Sequence, residues 1–130
     1  MRFTPESISV LAENEVFVFG SNLAGLHGGG AAKVALERFG AERAKGIGHR
    51  GQSYAIPTKD ELIETLPIEE IGEHVAEFLE YAKTKPELTF LVTQIGCGLA
   101  GYSPKDIGPL FSNVPDNVVF PAAFWKHISR

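Results

Sequence analysis

Two glycine-rich segments dominate the chemistry that this sequence can perform. Five glycines lie between residues 20 and 30, and four more lie between residues 96 and 108. Glycine is costly to order on folding, so such clusters indicate that the backbone must approach something closely. Backbone N–H groups in these loops, and at the start of a helix that follows one, attract anions. The two segments therefore favour a site for a phosphate or diphosphate.

Neither segment matches a standard phosphate-binding motif. The first ends in Gly28-Gly29-Gly30 but contains neither G-x-x-x-x-G-K-[ST] nor G-x-G-x-x-G. A flexible connection is therefore the alternative to anion binding there, and His27 in the same loop is either a ligand contact or an exposed side chain. For the second segment, residues 96–103, the alternative is a tight turn whose small residues allow close packing.

Two polar side chains directly follow predicted strands. Lys59 should place its ammonium at the edge of the sheet, where it could pair with phosphate or attack a carbon as an unprotonated amine. The alternative is a surface lysine beside Asp60. Asn22 could orient a hydroxyl or a water, and its alternative is a turn residue that tolerates a left-handed backbone.

Cys97, the chain's one cysteine, suggests a third kind of site, that of a Cys97-dependent hydrolase. A nucleophilic cysteine needs positive surroundings and usually a histidine partner. None of the four histidines has a diagnostic spacing to Cys97, and a buried small hydrophobe is the more typical role. The histidines form no metal-binding pattern, so we predict no metal site and no cofactor.

Composition places the chain among globular domains. Its 130 residues suit one domain, residues 1–130, and 44% of them are hydrophobic. Sixteen acidic and twelve basic residues leave a charge of −4, which gives no sign of binding to nucleic acid or to an anionic membrane. The apolar runs are too short to span a bilayer and no signal peptide is visible, so with a single cysteine we expect a cytoplasmic protein.

The apolar pattern predicts strands and helices in alternation. Strands are predicted at residues 16–19, 53–56, 88–95 and 118–120, with an edge strand at 8–11. Helices are predicted at residues 31–39, from Pro67 through Ala82, and from Pro104 with Ser103 as its N-cap. Residues 41–52 carry no clear period and are interpreted as a loop, and Pro57 is expected to end the second strand.

This alternation predicts a three-layer α/β/α fold around a mostly parallel mixed sheet of at least four strands. In such sheets, ligands bind beyond the carboxyl ends of the strands. The loops that follow the four main strands should therefore meet along one edge. Phe124, just after the fourth strand, offers a ring on which a base could stack, although aromatic residues there also seal cores.

On these residues the chain resembles the macro domain family of ADP-ribose-binding modules. Phe19-Gly20-Ser21-Asn22 followed by Gly28-Gly29-Gly30-Ala31 is similar to the family's first ligand loop. Ile95-Gly96-Cys97-Gly98-Leu99 is similar to the second loop, and is nearest to the branch that contains the terminal ADP-ribose protein glycohydrolases. The pair Thr58-Lys59 also resembles that branch, and the likeness covers roughly residues 15–125.

The resemblance implies a macro-like fold whose partner is ADP-ribose, a related nucleotide or an ADP-ribosylated macromolecule. By it, Asn22 would contact the distal ribose, Phe124 would lie near the adenine, and Lys59 would attack the ribosyl carbon. The remaining ligand contacts would come from Gly20, Ser21, Gly28, Gly29, Gly30, Ala31, Thr58, Gly96, Cys97, Gly98, Leu99, Ala100, Gly101 and Tyr102.

Two positions depart from the family pattern. Ala100 stands where the branch has its catalytic acid, and the usual Gly-Asp-Ile near the start is absent, with Glu13 and Asn14 as loose substitutes. Two functions are therefore expected as alternatives. Lys59 and Asn22 favour hydrolysis of an ADP-ribosyl bond, which could also proceed with Asn22 placing a water beside the diphosphate. Ala100 favours a binding module without turnover.

Overall fold

Five strands form one mixed sheet in a computed structural model that describes residues 2–128. In chain order they are β1 (Glu15–Asn22), β2 (Gly48–Arg50), β3 (Ser53–Lys59), β4 (Thr89–Val92) and β5 (Val118–Val119). Across the sheet the order is β2-β3-β1-β4-β5. Only β2 runs antiparallel to its neighbour, β3, and the other adjacent pairs are parallel. The C-terminal end of β1 therefore lies centrally, between those of β3 and β4.

Helices cover both faces of this sheet. They are α1 (Gly30–Arg38), α2 (Ile68–Lys83), α3 (Pro104–Ile107) and α4 (Ala122–Trp125). Phe17 and Phe19 of β1 pack in the apolar cluster under α1. Val16 and Val18, which alternate with them along the strand, belong to the larger cluster under α2. The predicted three-layer α/β/α fold with a mostly parallel sheet is confirmed.

The helix α2 follows its predicted apolar stripe. Its buried residues are Ile71, Val75, Phe78, Leu79 and Ala82. Pro67 was predicted to be the first helical residue. It is instead the N-cap, and the helix begins at Ile68. No helix among residues 2–128 is long and apolar enough to cross a membrane.

The predicted start of α3 is confirmed. Ser103 is its N-cap and Pro104 its first residue, and a short 3₁₀ turn, Gly108–Leu110, follows it. The Asp106 carboxylate accepts hydrogen bonds from the Ser103 N–H and Oγ–H, both at 3.0 Å. These bonds hold the pKa of Asp106 below its usual value. The helix α3 thus fixes where the loop after β4 ends and the chain re-enters the core at Ile107.

Three predictions about strands are wrong: one predicted strand is absent, one strand was missed and one is shorter than predicted. Residues 8–11 form no strand, and Phe3 instead bridges Phe120. Residues 41–52 include β2, whose three half-buried residues carry no apolar signal. The strand predicted at residues 88–95 is too long, since β4 spans Thr89–Val92 and the three residues after it turn into the following loop.

Pro57 does not end β3, which continues to Lys59. The antiparallel partner β2 pairs with β3 only as far as Ala55. Beyond that point β3 has a strand neighbour on the β1 side alone, where Pro57 stands opposite Ser21. Proline lacks an N–H and is tolerated where a strand is paired on one side. The strand therefore carries Thr58 and Lys59 to the central edge of the sheet.

Candidate functional site

A cavity of about 490 Å³ opens where the C-terminal ends of β1, β3 and β4 meet. Three connections line it: loop 1 (residues 23–29), loop 2 (60–67) and loop 3 (93–103). The predicted site residues that line it are Gly20, Ser21, Asn22, Gly28, Gly29, Gly30, Ala31, Thr58, Lys59, Gly96, Gly98, Leu99 and Ala100. The fourth predicted loop, after β5, is absent from the lining.

Three glycines of loops 1 and 3 face open space. A Cβ added at Gly28, Gly29 or Gly98 would meet nothing within 4 Å. All three line the cavity, so their backbone is open to close approach from the cavity side. Among the described residues, their N–H groups have no hydrogen-bond acceptor. These are the features of a backbone cradle for an anion.

Two other glycines of these clusters, Gly25 and Gly96, and Gly46 outside them serve the fold. A Cβ at Gly25 would lie 2.4 Å from the carbonyl carbon of Ala44, and one at Gly46 would lie 2.1 Å from the Asn22 carbonyl oxygen. Their small size lets residues 44–46 pack directly behind loop 1. Gly96 has a positive φ of 73°, and a Cβ there would lie 2.9 Å from a methyl of Ile107. The close-packing alternative given for the second segment thus holds for Gly96, and Gly25 and Gly46 show the same kind of packing.

Loop 1 is held from behind by the segment that follows α1. The Ser21 hydroxyl donates to the Gly46 carbonyl. His27 donates its Nε2–H to the Glu42 carbonyl at 2.9 Å. The ring is only 4% exposed, packs edge-on against Phe19 and does not line the cavity. His27 is therefore a packing residue of this support.

The Asn22 side chain closes loop 1 on itself. Its Nδ2 donates to the Leu26 carbonyl at 2.8 Å, and its Oδ1 accepts from the Leu26 N–H at 3.0 Å. A carboxamide has two N–H donors and two acceptor lone pairs, so one of each remains after these bonds. Asn22 fixes the loop and can still present a donor to the cavity that it lines.

Lys59 is the one ionisable side chain among the described residues that line the cavity. It is half-buried and forms no ion pair within residues 2–128. Its backbone is fixed on both sides, by the Leu23 N–H to its carbonyl at 2.9 Å and by an antiparallel bridge to Thr65. The cavity is thus cationic although the chain as a whole carries −4.

The start of helix α1 adds to the positive electrostatic potential of the cavity. Its N-cap, Gly29, has no side chain and makes no side-chain hydrogen bond to the first turn. The unpaired N–H groups of a helix start carry partial positive charge. Because Gly30 and Ala31 also line the cavity, this charge faces the same space as Lys59.

Cys97 lies outside the cavity lining. Its thiol packs against the core under α2 and lies 3.4 Å from the Ile95 carbonyl. Burial, with a smaller contribution from the Asp106 carboxylate, raises the pKa of Cys97 to about 11. A thiol of this kind stays protonated at neutral pH, whereas a nucleophilic cysteine needs the thiolate.

Three further predicted contacts also lie outside the lining: Gly101, Tyr102 and Phe124. The Tyr102 hydroxyl donates to the Leu66 carbonyl at 2.9 Å and so joins loop 3 to loop 2. Phe124 is fully buried and packs against Phe111. Its ring seals the core, which was the alternative interpretation of that residue.

Several lining residues escaped sequence analysis. Thr93 and Gln94 were assigned to a strand that in fact ends before them, and Thr93 Oγ1 donates to the Val18 carbonyl at 2.7 Å. Leu26 and Ile63 are apolar residues in loops, for which no motif was available. The remaining members are Ala32 and Ile95.

Comparison with known protein families, curated proteins and solved structures finds no match to this chain. Residues 2–128 also contain no group of three or more His, Cys, Asp or Glu side chains placed to hold a metal ion. The lining of the cavity itself is therefore the guide to its chemistry.

Proposed function

We propose that this chain binds a nucleotide diphosphate, with ADP-ribose as the expected ligand, in the cavity at the end of β1. The observation that carries the proposal is the pairing of open glycines on two facing loops with a single cationic side chain, Lys59. The resemblance of these loops to those of macro domains selects ADP-ribose among the nucleotides that carry a diphosphate.

The cavity supplies what a diphosphate needs on two sides. Gly28, Gly29 and the start of α1 offer N–H donors from one loop, and Gly98 offers another from the opposite loop. Lys59 adds a charge-assisted contact. The free N–H of Asn22 and the hydroxyl of Thr93 suit ribose hydroxyls. No carboxylate among the described lining residues opposes the bound charge.

Calorimetric titration with ADP-ribose tests the proposal, with AMP and ribose 5-phosphate as comparison ligands. We expect a micromolar constant, near −8 kcal/mol, and weaker binding of both comparison ligands. Gly29→Ala should weaken binding at least tenfold, because its methyl enters ligand space while the backbone there is extended. Its melting temperature should stay at the wild-type value.

Two results would contradict this proposal. One is the absence of heat and of thermal stabilisation at millimolar ADP-ribose. The other is unchanged affinity in both Gly29→Ala and Gly98→Ala, since each places a methyl in the proposed ligand space. Lys33→Ala, an exposed position on α1 outside the lining, is the matched control for general effects of surface change.

Hydrolysis of an ADP-ribosyl bond is the second candidate, and the position of Lys59 in the cavity favours it. The unprotonated amine would attack the ribosyl carbon, the bond to the leaving group would break with its electron pair going to that group, and the proton that the nitrogen loses would pass to the same group. Water would then release the sugar from the amine. No carboxylate lines the cavity among the described residues, and Ala100 occupies the expected position of an acid. Binding without turnover therefore has precedence.

Turnover of an ADP-ribosylated protein separates the two candidates. A hydrolase should lose activity in Lys59→Ala and keep it in Lys33→Ala. A binding module should retain the modified protein without releasing ADP-ribose, and Lys59→Ala should then reduce retention only.

A further inference from the structure

The tip of loop 3, from Gly98 to Gly101, is an exposed turn with little to hold it. The Gly101 N–H donates to the Gly98 carbonyl at 3.0 Å and closes the turn, in which Leu99 is 89% exposed. Gly101 has a positive φ of 90°, a conformation that glycine adopts without strain. A turn of this kind needs a contact from outside loop 3 to keep the Gly98 N–H in one place.

Thr65 of loop 2 supplies this contact. Its Oγ1–H donates to the Ala100 carbonyl at 3.0 Å. Among the side-chain hydrogen bonds of residues 2–128, it is the one that reaches the tip of loop 3 from another loop. Thr65 is absent from the cavity lining, so its effect on a ligand would pass through loop 3.

The position of Thr65 is set by the strand that carries Lys59. The two residues stand opposite each other in an antiparallel bridge, and the side chains of such a pair project from the same face. The next residue, Leu66, donates its N–H to the Thr58 carbonyl at 2.9 Å. Loop 2 is thus attached to the end of β3 at two successive residues, and its threonine hydroxyl is placed from there.

The turn of loop 2 that leads to Thr65 is itself tightly held. The Asp60 Oδ1 accepts hydrogen bonds from the Leu62 and Glu64 N–H groups at 2.8 and 3.0 Å. Ile63 between them has a φ of 63°, in the left-handed region that is strained for a β-branched residue. Such strain persists where the surrounding structure enforces one conformation. Loop 2 therefore offers loop 3 a fixed point of attachment.

We infer that Thr65 is a positioning residue for ligand binding. Through the Ala100 carbonyl, its hydroxyl holds the Gly98 N–H in place relative to the strand end that carries Lys59. This inference rests on the proposed function, in which Gly98 and Lys59 contact one ligand, and it holds for either direction of that ligand in the cavity. Without the hydroxyl, the ligand itself would have to order the tip of loop 3, and the entropy lost in doing so would lower the affinity.

Titration of Thr65→Val and Thr65→Ser with ADP-ribose tests the inference. Valine keeps nearly the shape of the side chain but lacks the donor, whereas serine keeps the donor. We expect Thr65→Val to bind ADP-ribose about fivefold more weakly than wild type. Thr65→Ser should bind with the wild-type constant, a rescue that a role in packing alone would not produce.

Thr84→Val is the matched control. Thr84 is also exposed, and its hydroxyl also donates to a backbone carbonyl, that of Tyr81, at 2.6 Å. It lies at the C-terminal end of α2 and outside the cavity lining. Each valine variant loses one exposed hydrogen bond, so both should lower the melting temperature to a similar small extent. Only Thr65→Val should lose affinity.

NMR order parameters of the ligand-free protein give a second measurement, which does not depend on the identity of the ligand. The amides of Leu99 and Ala100 should have lower order parameters in Thr65→Val than in wild type, because the tip of loop 3 loses its attachment. Thr65→Ser and Thr84→Val should leave these values unchanged.

The results distinguish failure of the inference from failure of the proposed function. If wild type does not bind ADP-ribose, the proposed function is overturned, and the role of Thr65 in binding with it. If wild type binds, the inference alone is overturned by unchanged affinity or unchanged order parameters in Thr65→Val. It is also overturned by a loss of affinity in Thr65→Ser or Thr84→Val equal to that in Thr65→Val.

Discussion

At the scale of single residues, glycines that look alike in the sequence serve different purposes. Gly28 has open space where a Cβ would stand, whereas a Cβ at Gly46 would collide with the Asn22 carbonyl oxygen. Counting glycines thus indicates a candidate site, but it cannot say which of them face the cavity and which only permit close packing.

Substitution by alanine should separate the two kinds of glycine. Gly46→Ala is expected to lower the free energy of unfolding by about 2 kcal/mol or more, because the backbone it meets cannot move aside cheaply. Gly28→Ala should leave that free energy unchanged and weaken ADP-ribose binding. Urea unfolding followed by circular dichroism measures the first effect, and titration measures the second. Equal loss of stability in both variants would contradict this assignment.

Cys97 should behave as an unreactive core thiol. Its pKa is raised from 9.0 to about 11, so at pH 8 it should react with iodoacetamide more slowly than in the urea-unfolded chain. Between these two pKa values the unfolded chain loses the proton and the folded chain keeps it, so this group's contribution to stability is lost as pH rises from about 9 to 11. Cys97→Ser should abolish that part of the alkaline slope and retain ADP-ribose binding. Alkylation at equal rates in the folded and unfolded chain would contradict the buried-thiol interpretation.

Lys59 should contribute a charge-dependent part of the affinity. Its removal in Lys59→Ala is expected to cost about 1.5 kcal/mol of ADP-ribose binding, and the remaining affinity should vary less with salt. Titration at about 50 and about 500 mM NaCl, between which the Debye length falls roughly threefold, measures both effects. A salt dependence equal to that of wild type would indicate that Lys59 does not contact the phosphates.

At the scale of elements, the edge strand β2 is held by a neutral histidine. His49 donates its Nε2–H to the Gly51 carbonyl at 2.9 Å. Its Nδ1 therefore accepts a hydrogen bond from the Tyr81 hydroxyl on α2. Burial lowers the pKa of His49 below 6.5, and the cations Lys85 and Arg50 add to this. This hydrogen bond joins β2, the strand with no apolar sequence pattern, to α2, the helix with the clearest one.

Acidification should loosen this attachment. The unfolded chain takes up a proton on this histidine near pH 6.5, before the folded chain does, so the stabilisation present above that pH is lost as the pH falls through the lowered pKa. The free energy of unfolding should therefore decrease from pH 7.5 to 5.5 more steeply in wild type than in His49→Gln. Parallel decreases in the two proteins would contradict the assignment.

Helices and strands with a clear apolar pattern of their own were predictable from the sequence. Those that depend on pairing with another strand were not. The stripe of α2 and the buried run of β1 follow from local sequence. The existence of β2 depends on pairing with β3, and the extension of β3 past Pro57 depends on where β2 ends. Likewise, loops were predicted at the ends of strands, but the strained Ile63 in the cavity wall results from the closure of a turn.

At the scale of the whole molecule, the sheet order decides what the separate segments can do together. Loops 1, 2 and 3 arise from strands that are distant in sequence, yet β1 lies between β3 and β4. The polar and small residues after each strand therefore share one cavity, while Phe120 and Phe124 after β5, one strand further out, contribute to the core instead. The position of a strand in the sheet, more than the composition of its loop, decides which segments line the cavity.

The continuation of β3 beyond the end of β2 has a consequence for self-association. A strand with a free side offers a template on which a second chain can extend the sheet. Here Pro57 has no N–H to donate, and the Thr58 carbonyl already accepts the Leu66 N–H at 2.9 Å. Lys59 is also bridged to Thr65, so the free stretch of β3 is short and poor in hydrogen-bonding groups, and we expect it not to pair with another copy of the chain.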